Sequence, residues 1–195
     1  MQQLAPLALT LIASAAVLLL LRSRRTQRRS SQARMHIFHD GDLAADVADQ
    51  LRRGTAARLD GSVLADTLEC FEGAVDSLRM ADTLAVLIVT TGEDGEVNEL
   101  AEACLKFLAL KTNATRLCGI RFAVLGLGDS NLLATSHRSI SWASGRDCNQ
   151  GGELFDRWLE QTGGRRLVRR GESDARTDHD ALGPWMETLW AALCT

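Results

Sequence analysis

The sequence predicts an α/β fold, a three-layer, doubly wound, five-stranded parallel sheet preceded by an N-terminal membrane helix. Three observations lead there. From residue 35 onward, strand-patterned and helix-patterned segments alternate in the order β-α-β-α-β-α-β-α-β-α, which calls for a parallel sheet with helices on both faces. Leu84–Val89 and Phe122–Leu127 are continuous apolar runs, as in strands buried on both sides. Residues 1–34 contain six arginines and no Asp or Glu, whereas residues 35–195 carry 16 basic against 25 acidic residues, a net charge of −9. The chain therefore divides into a basic, partly apolar segment, 1–34, and a 161-residue acidic body, 35–195, long enough to bury its own core.

Each element has a local reason. Met35–His39 reads as a short strand. Asp42–Arg53 places Leu43, Val47 and Leu51 on one helical face, and Gly54 is expected to stop it. Ala56–Leu59 is read as a second strand closed by an Asp60–Gly61 turn, and Val63–Leu78 as a helix with Leu64, Leu68, Phe71 and Val75 along one side. Leu84–Val89 follows as a strand, then a helix from an Asn98 N-cap through Leu110. After Phe122–Leu127 comes an irregular stretch, Leu132–Gly151, rich in Ser, Asn and Gly; a loop of that length is more often functional than accidental. Gly152–Thr162 is a helix closed by Gly163–Gly164, Leu167–Val168 a short strand, and Pro184 opens a last helix bearing Trp185, Leu189 and Leu193.

Leu4–Leu21 is an uncharged 18-residue run, just long enough to span a bilayer. Its arginines follow it, so the positive-inside rule puts the body in the cytosol, with the endoplasmic reticulum as the expected membrane. The alternative is a mitochondrial presequence, since the segment is Arg-rich and acid-free; presequences are amphipathic, and this run is apolar all round.

Several classes are excluded. The five cysteines, Cys70, Cys104, Cys118, Cys148 and Cys194, include no CxxC pair, and the histidines form no paired metal spacing, so no metal site is expected. Reduced, mostly buried thiols are expected. No GxSxG elbow supports a hydrolase. The acidic body has the wrong sign for phosphate backbones, so direct nucleic-acid binding is not expected, although Arg165, Arg166, Arg169 and Arg170 could form a basic patch.

In a doubly wound sheet, ligands bind at the carboxyl ends of the strands. That singles out loops 40–42, 90–98 and 128–151. The second reads Thr90-Thr91-Gly92-Glu93-Asp94-Gly95-Glu96-Val97-Asn98, with hydroxyls and glycine backbone suited to a flat ligand. The third begins Gly126-Leu127-Gly128-Asp129-Ser130-Asn131, where glycine lets backbone approach a ligand and Asp129 and Asn131 add polar contacts.

Together these two loops resemble the flavodoxin-like domain of the diflavin reductases and their relatives. Thr90-Thr91-Gly92-Glu93-Asp94-Gly95-Glu96 is similar to that family's S-T-x-G-D-G-E loop, and Phe122-Ala123-Val124-Leu125-Gly126-Leu127-Gly128-Asp129-Ser130 to its Y-A-V-x-G-L-G-D/N-S stretch. Asp156-Arg157-Trp158-Leu159, Gly163-Gly164 and Arg170-Gly171-Glu172-Ser173-Asp174 look closest to the flavodoxin part of the tRNA wybutosine enzymes, the demethylwyosine synthases. The resemblance implies FMN as an electron carrier. Thr90, Thr91 and Gly92 would border its ring and ribityl chain, Gly95, Gly126, Gly128, Asp129 and Asn131 would shape the rest of the ring site, and Asp174 would lie near the ring edge. It also implies redox partner proteins, a reductase donor and an acceptor, since the chain carries neither a CxxxCxxC cluster motif nor a nicotinamide-binding domain.

Two departures stand beside the resemblance. Where the family has an S/T-Q-T-G-T-A phosphate loop, this chain has His39-Asp40-Gly41-Asp42, shorter and without a hydroxyl. Like charges about 4 Å apart cost on the order of 4 kcal/mol at an effective dielectric of 20, and Asp42 reads as an N-cap that occupies the amides a phosphate would need. The chain has no Tyr, and Gly92 and Leu132 stand where the family often has aromatics. Trp142 either stacks on a flavin or packs its own loop down. Two functions stay open: an anchored FMN electron-transfer protein, or a flavodoxin fold without FMN that serves as a membrane-tethered interaction subunit.

Overall fold

In a computed structural model, residues 34–59, 61–92, 95–135 and 148–194 are described. The two apolar runs form the centre of the sheet. Leu84–Thr90 (β3) and Arg121–Gly128 (β4) pair in parallel from Leu84↔Arg121 to Thr90↔Leu127. Met35–His39 (β1) lies on the other side of β3, and Val63–Thr67 (β2) lies beyond β1 at the edge. Arg165–Arg166 (β5) and Gly171–Asp174 (β6) both pair with β4, giving the order β2-β1-β3-β4 followed by a divided fifth position.

Helices cover both faces, as expected. Asp42–Arg58 (α1) and Leu182–Leu193 (α6) pack on one, where Val47, Leu51, Trp185, Leu189 and Trp190 meet Ile37, Val86 and Leu125. Phe71–Met80 (α2), Glu99–Ala109 (α3) and Gln150–Gln161 (α5) pack on the other, where Phe71, Val75, Phe107 and Phe155 meet Phe38, Leu87 and Val124. Adjacent strand residues thus go to opposite cores, and for that reason the central strands are apolar throughout.

Four expectations need correction. Gly54 does not stop α1, which runs on through Arg58 in place of the strand expected at Ala56–Leu59. A Cβ on Gly54 would lie 2.5 Å from Trp190 Cζ2, so glycine here admits a side chain from α6. The second strand is Val63–Thr67, and the following helix starts only at Phe71, after a short 3-10 turn at Leu68–Cys70. Leu64 belongs to an edge strand and is 58% exposed, so its helical spacing to Leu68 is coincidental. Leu167–Val168 is not itself a strand; Leu167 to Arg170 form a bulge opposite Ala123 and Val124 and separate β5 from β6. Pro184 sits third in α6, within the first turn, where its missing N–H costs little.

Asn98 is the N-cap expected of it: its Oδ1 accepts from Ala101 N at 3.0 Å. The long loop opens with a helical turn, Ser130–Thr135 (α4), and α5 begins at Gln150, two residues early. Trp142 and the run Leu4–Leu21 lie outside the described residues. Among the described residues no helix is long and apolar enough to cross a membrane. All five cysteines are free, but only Cys104 and Cys148 are buried; Cys70, Cys118 and Cys194 are exposed, contrary to the mostly buried set expected.

Candidate functional site

The strand order reverses between β1 and β3, and the crevice above that pair is where such sheets bind ligands. The described parts of three expected loops reach it. The first is only two residues long, Asp40 and Gly41, between the end of β1 and the start of α1. Asp40 is 2% exposed. Its carboxylate accepts from Thr90 N at 2.9 Å and Thr90 Oγ1 at 3.0 Å, across the reversal point from β1 to β3. Asn98 Nδ2 donates to the Asp40 carbonyl. Loss of water around Asp40 outweighs the Thr90 bonds and raises its carboxyl from 3.8 to about 6. The N-cap of α1 is Gly41, not Asp42, and no side chain caps it; Asp42 is the first helical residue, its carboxylate exposed.

The second loop is closed on itself. Thr91 N donates to Leu127 O at 2.9 Å, Gly92 N to Glu96 O at 2.8 Å and Gly95 N to Gly92 O at 3.0 Å. Gly95 has φ 77°, the left-handed conformation that favours glycine. Thr91 is buried, and its Oγ1 accepts from Gly151 N at 3.0 Å, which ties this loop to the start of α5.

Gly126 and Gly128 do permit a close approach, and the chain itself makes it. A Cβ on Gly128 would lie 2.0 Å from Cys148 O, and one on Gly152 would lie 2.8 Å from Gly126 Cα. The glycines therefore seat residues 148–152 on β4. Asp129 Oδ1 accepts from Asn131 N at 2.9 Å and shapes the first turn of α4. Asp174, at the end of β6, accepts from Ser130 N and Arg176 N, each at 3.0 Å; these bonds, Ser130 first, hold its carboxyl near 2. Thr90, Thr91, Gly92, Gly95, Gly126, Gly128, Asp129, Asn131 and Asp174 are thus all at or beside the carboxyl edge of the sheet, on three neighbouring segments.

Sequence reasoning missed the partners. It marked Asp40 as an anion but not its pairing with Thr90, 50 residues away. It quoted Asp156 only as a motif residue; Asp156 makes a bidentate pair with Arg166, at 2.7 and 2.9 Å, which fixes α5 against β5. Arg166 also meets Glu160, and Arg170 pairs with Glu172, so among the described residues only Arg165 and Arg169 of the four arginines stand exposed outside such pairs. On the flank, a groove of about 300 Å³ is lined by Leu68, Glu72, Cys104 and Phe107 among others. Burial, with Glu72 nearby, pushes the Cys104 thiol up to about 12, so it stays protonated and is no nucleophile.

The residues fit the two ends of FMN unequally. Residues 90–92, 95–98 and 129–131 stand beside the crevice, and since the amides of Thr91, Gly92, Gly95, Ser130 and Asn131 already donate within the protein, a flat ring would rest there on packing and on carbonyl oxygens. The β1–α1 turn does not fit a phosphate: the Thr90 donors and the Asn98 amide already serve Asp40, and two carboxylates stand in the turn.

Among known proteins, the chain is 35% identical over 112 residues to the sulfite reductase [NADPH] flavoprotein alpha-component of Yersinia enterocolitica, over 57% of this chain and 16% of that protein. It is also 35% identical over 97 residues to the S-adenosyl-L-methionine-dependent tRNA 4-demethylwyosine synthase of Mus musculus, over 47% of this chain and 12% of that protein. The chain therefore spans a small part of the curated relatives it matches, and the equal identities single out neither. The structure of a C101A mutant of flavodoxin from Pseudomonas aeruginosa superposes with a TM-score of 0.58 at 22% identity, over 83% of this chain and 99% of that one, which supports the fold alone. The flavodoxin family model matches residues 42–185, from the first turn of α1 to Trp185 of α6, a span that contains the second and third carboxyl-edge loops and begins just after the first, Asp40 and Gly41; the chain belongs to the flavodoxin family.

Proposed function

We propose that this chain is an FMN-binding electron-transfer protein, anchored to a membrane by residues 4–21 with residues 35–195 in the cytosol. The observation that carries the reading is the strand order with its one reversal between β1 and β3, flanked by loops 90–98 and 129–131. When bound, FMN supplies reversible one-electron chemistry. The chain's own residues would position the ring: the backbone of Thr90 to Gly92 on one side, Asp129 and Asn131 on the other, with Gly95 and Asp174 holding those loops in place. The donor would be a flavoprotein reductase. The acceptor would be a separate redox protein, steered in by the net charge of −9 on residues 35–195. The match to the demethylwyosine synthase makes tRNA wybutosine synthesis one acceptor system to examine. The six arginines that follow the apolar run are the ground for the cytosolic orientation, and the endoplasmic reticulum is the membrane proposed.

One observation favours a second reading. Asp40 occupies the crevice that a ligand would enter. A flavodoxin fold without FMN, serving as a membrane-tethered interaction subunit, would have no use for an open crevice. Visible absorption of the full chain, purified in detergent and titrated with FMN, separates the two. Flavin bands, or binding in the micromolar range or tighter, support the carrier. A folded, colourless chain that ignores flavin refutes it and leaves the interaction subunit.

A further inference from the structure

An FMN site has two chemically distinct ends, a flat ring with amide-like edges and a phosphate that is an anion at neutral pH. In this chain, the Thr90 and Asn98 donors beside the carboxyl end of β1 are already engaged by the protein. Thr90 N and Thr90 Oγ1 both go to the Asp40 carboxylate. Asn98 Nδ2 goes to the Asp40 carbonyl, while Asn98 Oδ1 caps α3. Asp40 is thus a built-in anion, 2% exposed, in contact with donors that an external anion would otherwise recruit. With only Asp40 and Gly41 between β1 and α1, the loop adds no more than two backbone amides to those of the helix N-terminus. What remains is the first turn of α1, and there the Asp42 carboxylate already compensates the positive end of the helix dipole. A doubly charged group brought to this turn meets like charge on two sides.

We propose that this site recognises the flavin ring and not the phosphate, so that it takes riboflavin at least as readily as FMN. This rests on the flavin-binding reading above and narrows the ligand class within it. His39 works in the other direction. Its Nδ1 is buried without a partner among the described residues and, in the tautomer that protonates it, is a donor that a phosphate could still use.

The test is a pair of fluorescence-quenching titrations of the full chain in detergent, with riboflavin and with FMN, at low salt. The expected result is a riboflavin dissociation constant equal to or below that of FMN. Asp42 is exposed, so Asp42→Asn leaves the core untouched, and it is expected to improve FMN binding about tenfold while leaving riboflavin unchanged. FMN binding more than tenfold tighter than riboflavin would overturn the inference and leave the flavin reading intact. The inference is likewise overturned if His39→Ala selectively abolishes FMN binding, or if Asp42→Asn shifts both ligands equally. If the folded chain, checked by circular dichroism, quenches neither flavin, the flavin reading falls and this inference falls with it.

Discussion

Replacing Asp40 with Asn should stabilise the protein at neutral pH. The Asp40 carboxyl is raised from 3.8 to about 6, first by loss of solvent, against the opposing pull of the Thr90 bonds. A group that binds its proton more tightly folded than unfolded costs nothing below the unfolded value, and its cost grows as pH rises through the folded value. The penalty is therefore absent below about pH 3, small near pH 4, develops up to about pH 6, and is complete above about pH 7. At about 1.4 kcal/mol per pH unit the full figure is about 3 kcal/mol, and structural relaxation brings the expected effect to about 1–3 kcal/mol. Asn can replace the lost bonds, accepting from Thr90 N through Oδ1 and donating to Thr90 Oγ1 through Nδ2. For a domain of this size the gain corresponds to a Tm increase of roughly 3–10 °C at pH 8. The assay is thermal denaturation followed by circular dichroism at pH 4, 6 and 8, for both proteins in the same detergent. His39 and Asp42 are present in both proteins, so the difference between the curves isolates Asp40. A variant that melts at or below the parent at pH 8, or a difference that fails to narrow between pH 8 and pH 4, would refute the reasoning.

Other perturbations test the packing around the same edge. Gly128→Ala places a Cβ against the Cys148 carbonyl and is expected to cost about 2–3 kcal/mol in urea denaturation, whereas Gly73→Ala, with open space around it in α2, should gain up to about 1 kcal/mol. Asp174→Asn weakens the bonds from Ser130 N and Arg176 N; since the native carboxyl is held near 2, its stabilisation is present above about pH 4 and lost as pH falls toward 2, so the variant's deficit should shrink over that window in pH-dependent melts. Arg166→Ala leaves Asp156, with 13% of its side chain exposed, without its main partner, and a loss of about 2–3 kcal/mol is expected by the same denaturation assay.

The legible parts of the sequence were those whose signal is local. Leu84–Val89 and Phe122–Leu127 are apolar on every residue, and only burial on both sides of a sheet accounts for that. Asn98 caps a helix three residues away, within reach of short-range reasoning. The same holds for the carboxyl-edge residues, whose position follows from lying just after a strand.

What the sequence by itself determined is the alternating α/β architecture, the two central strands, and the set of segments that meet at the carboxyl edge. Only the tertiary structure decided the rest, because the deciding partner in each case is far away along the chain. Gly54 continues a helix because Trp190 packs on it, and Thr55 beside it accepts from Trp190 Nε1, 135 residues on. Val63–Thr67 is a strand because β1 pairs with it, although its own residues are half exposed and carry no strand-like apolar run. Whether Asp40 repels a ligand from the surface or fills the crevice itself depends on Thr90, which approaches it only once β1 and β3 lie side by side. Periodicity along one segment carries no information about the neighbour that folding will bring.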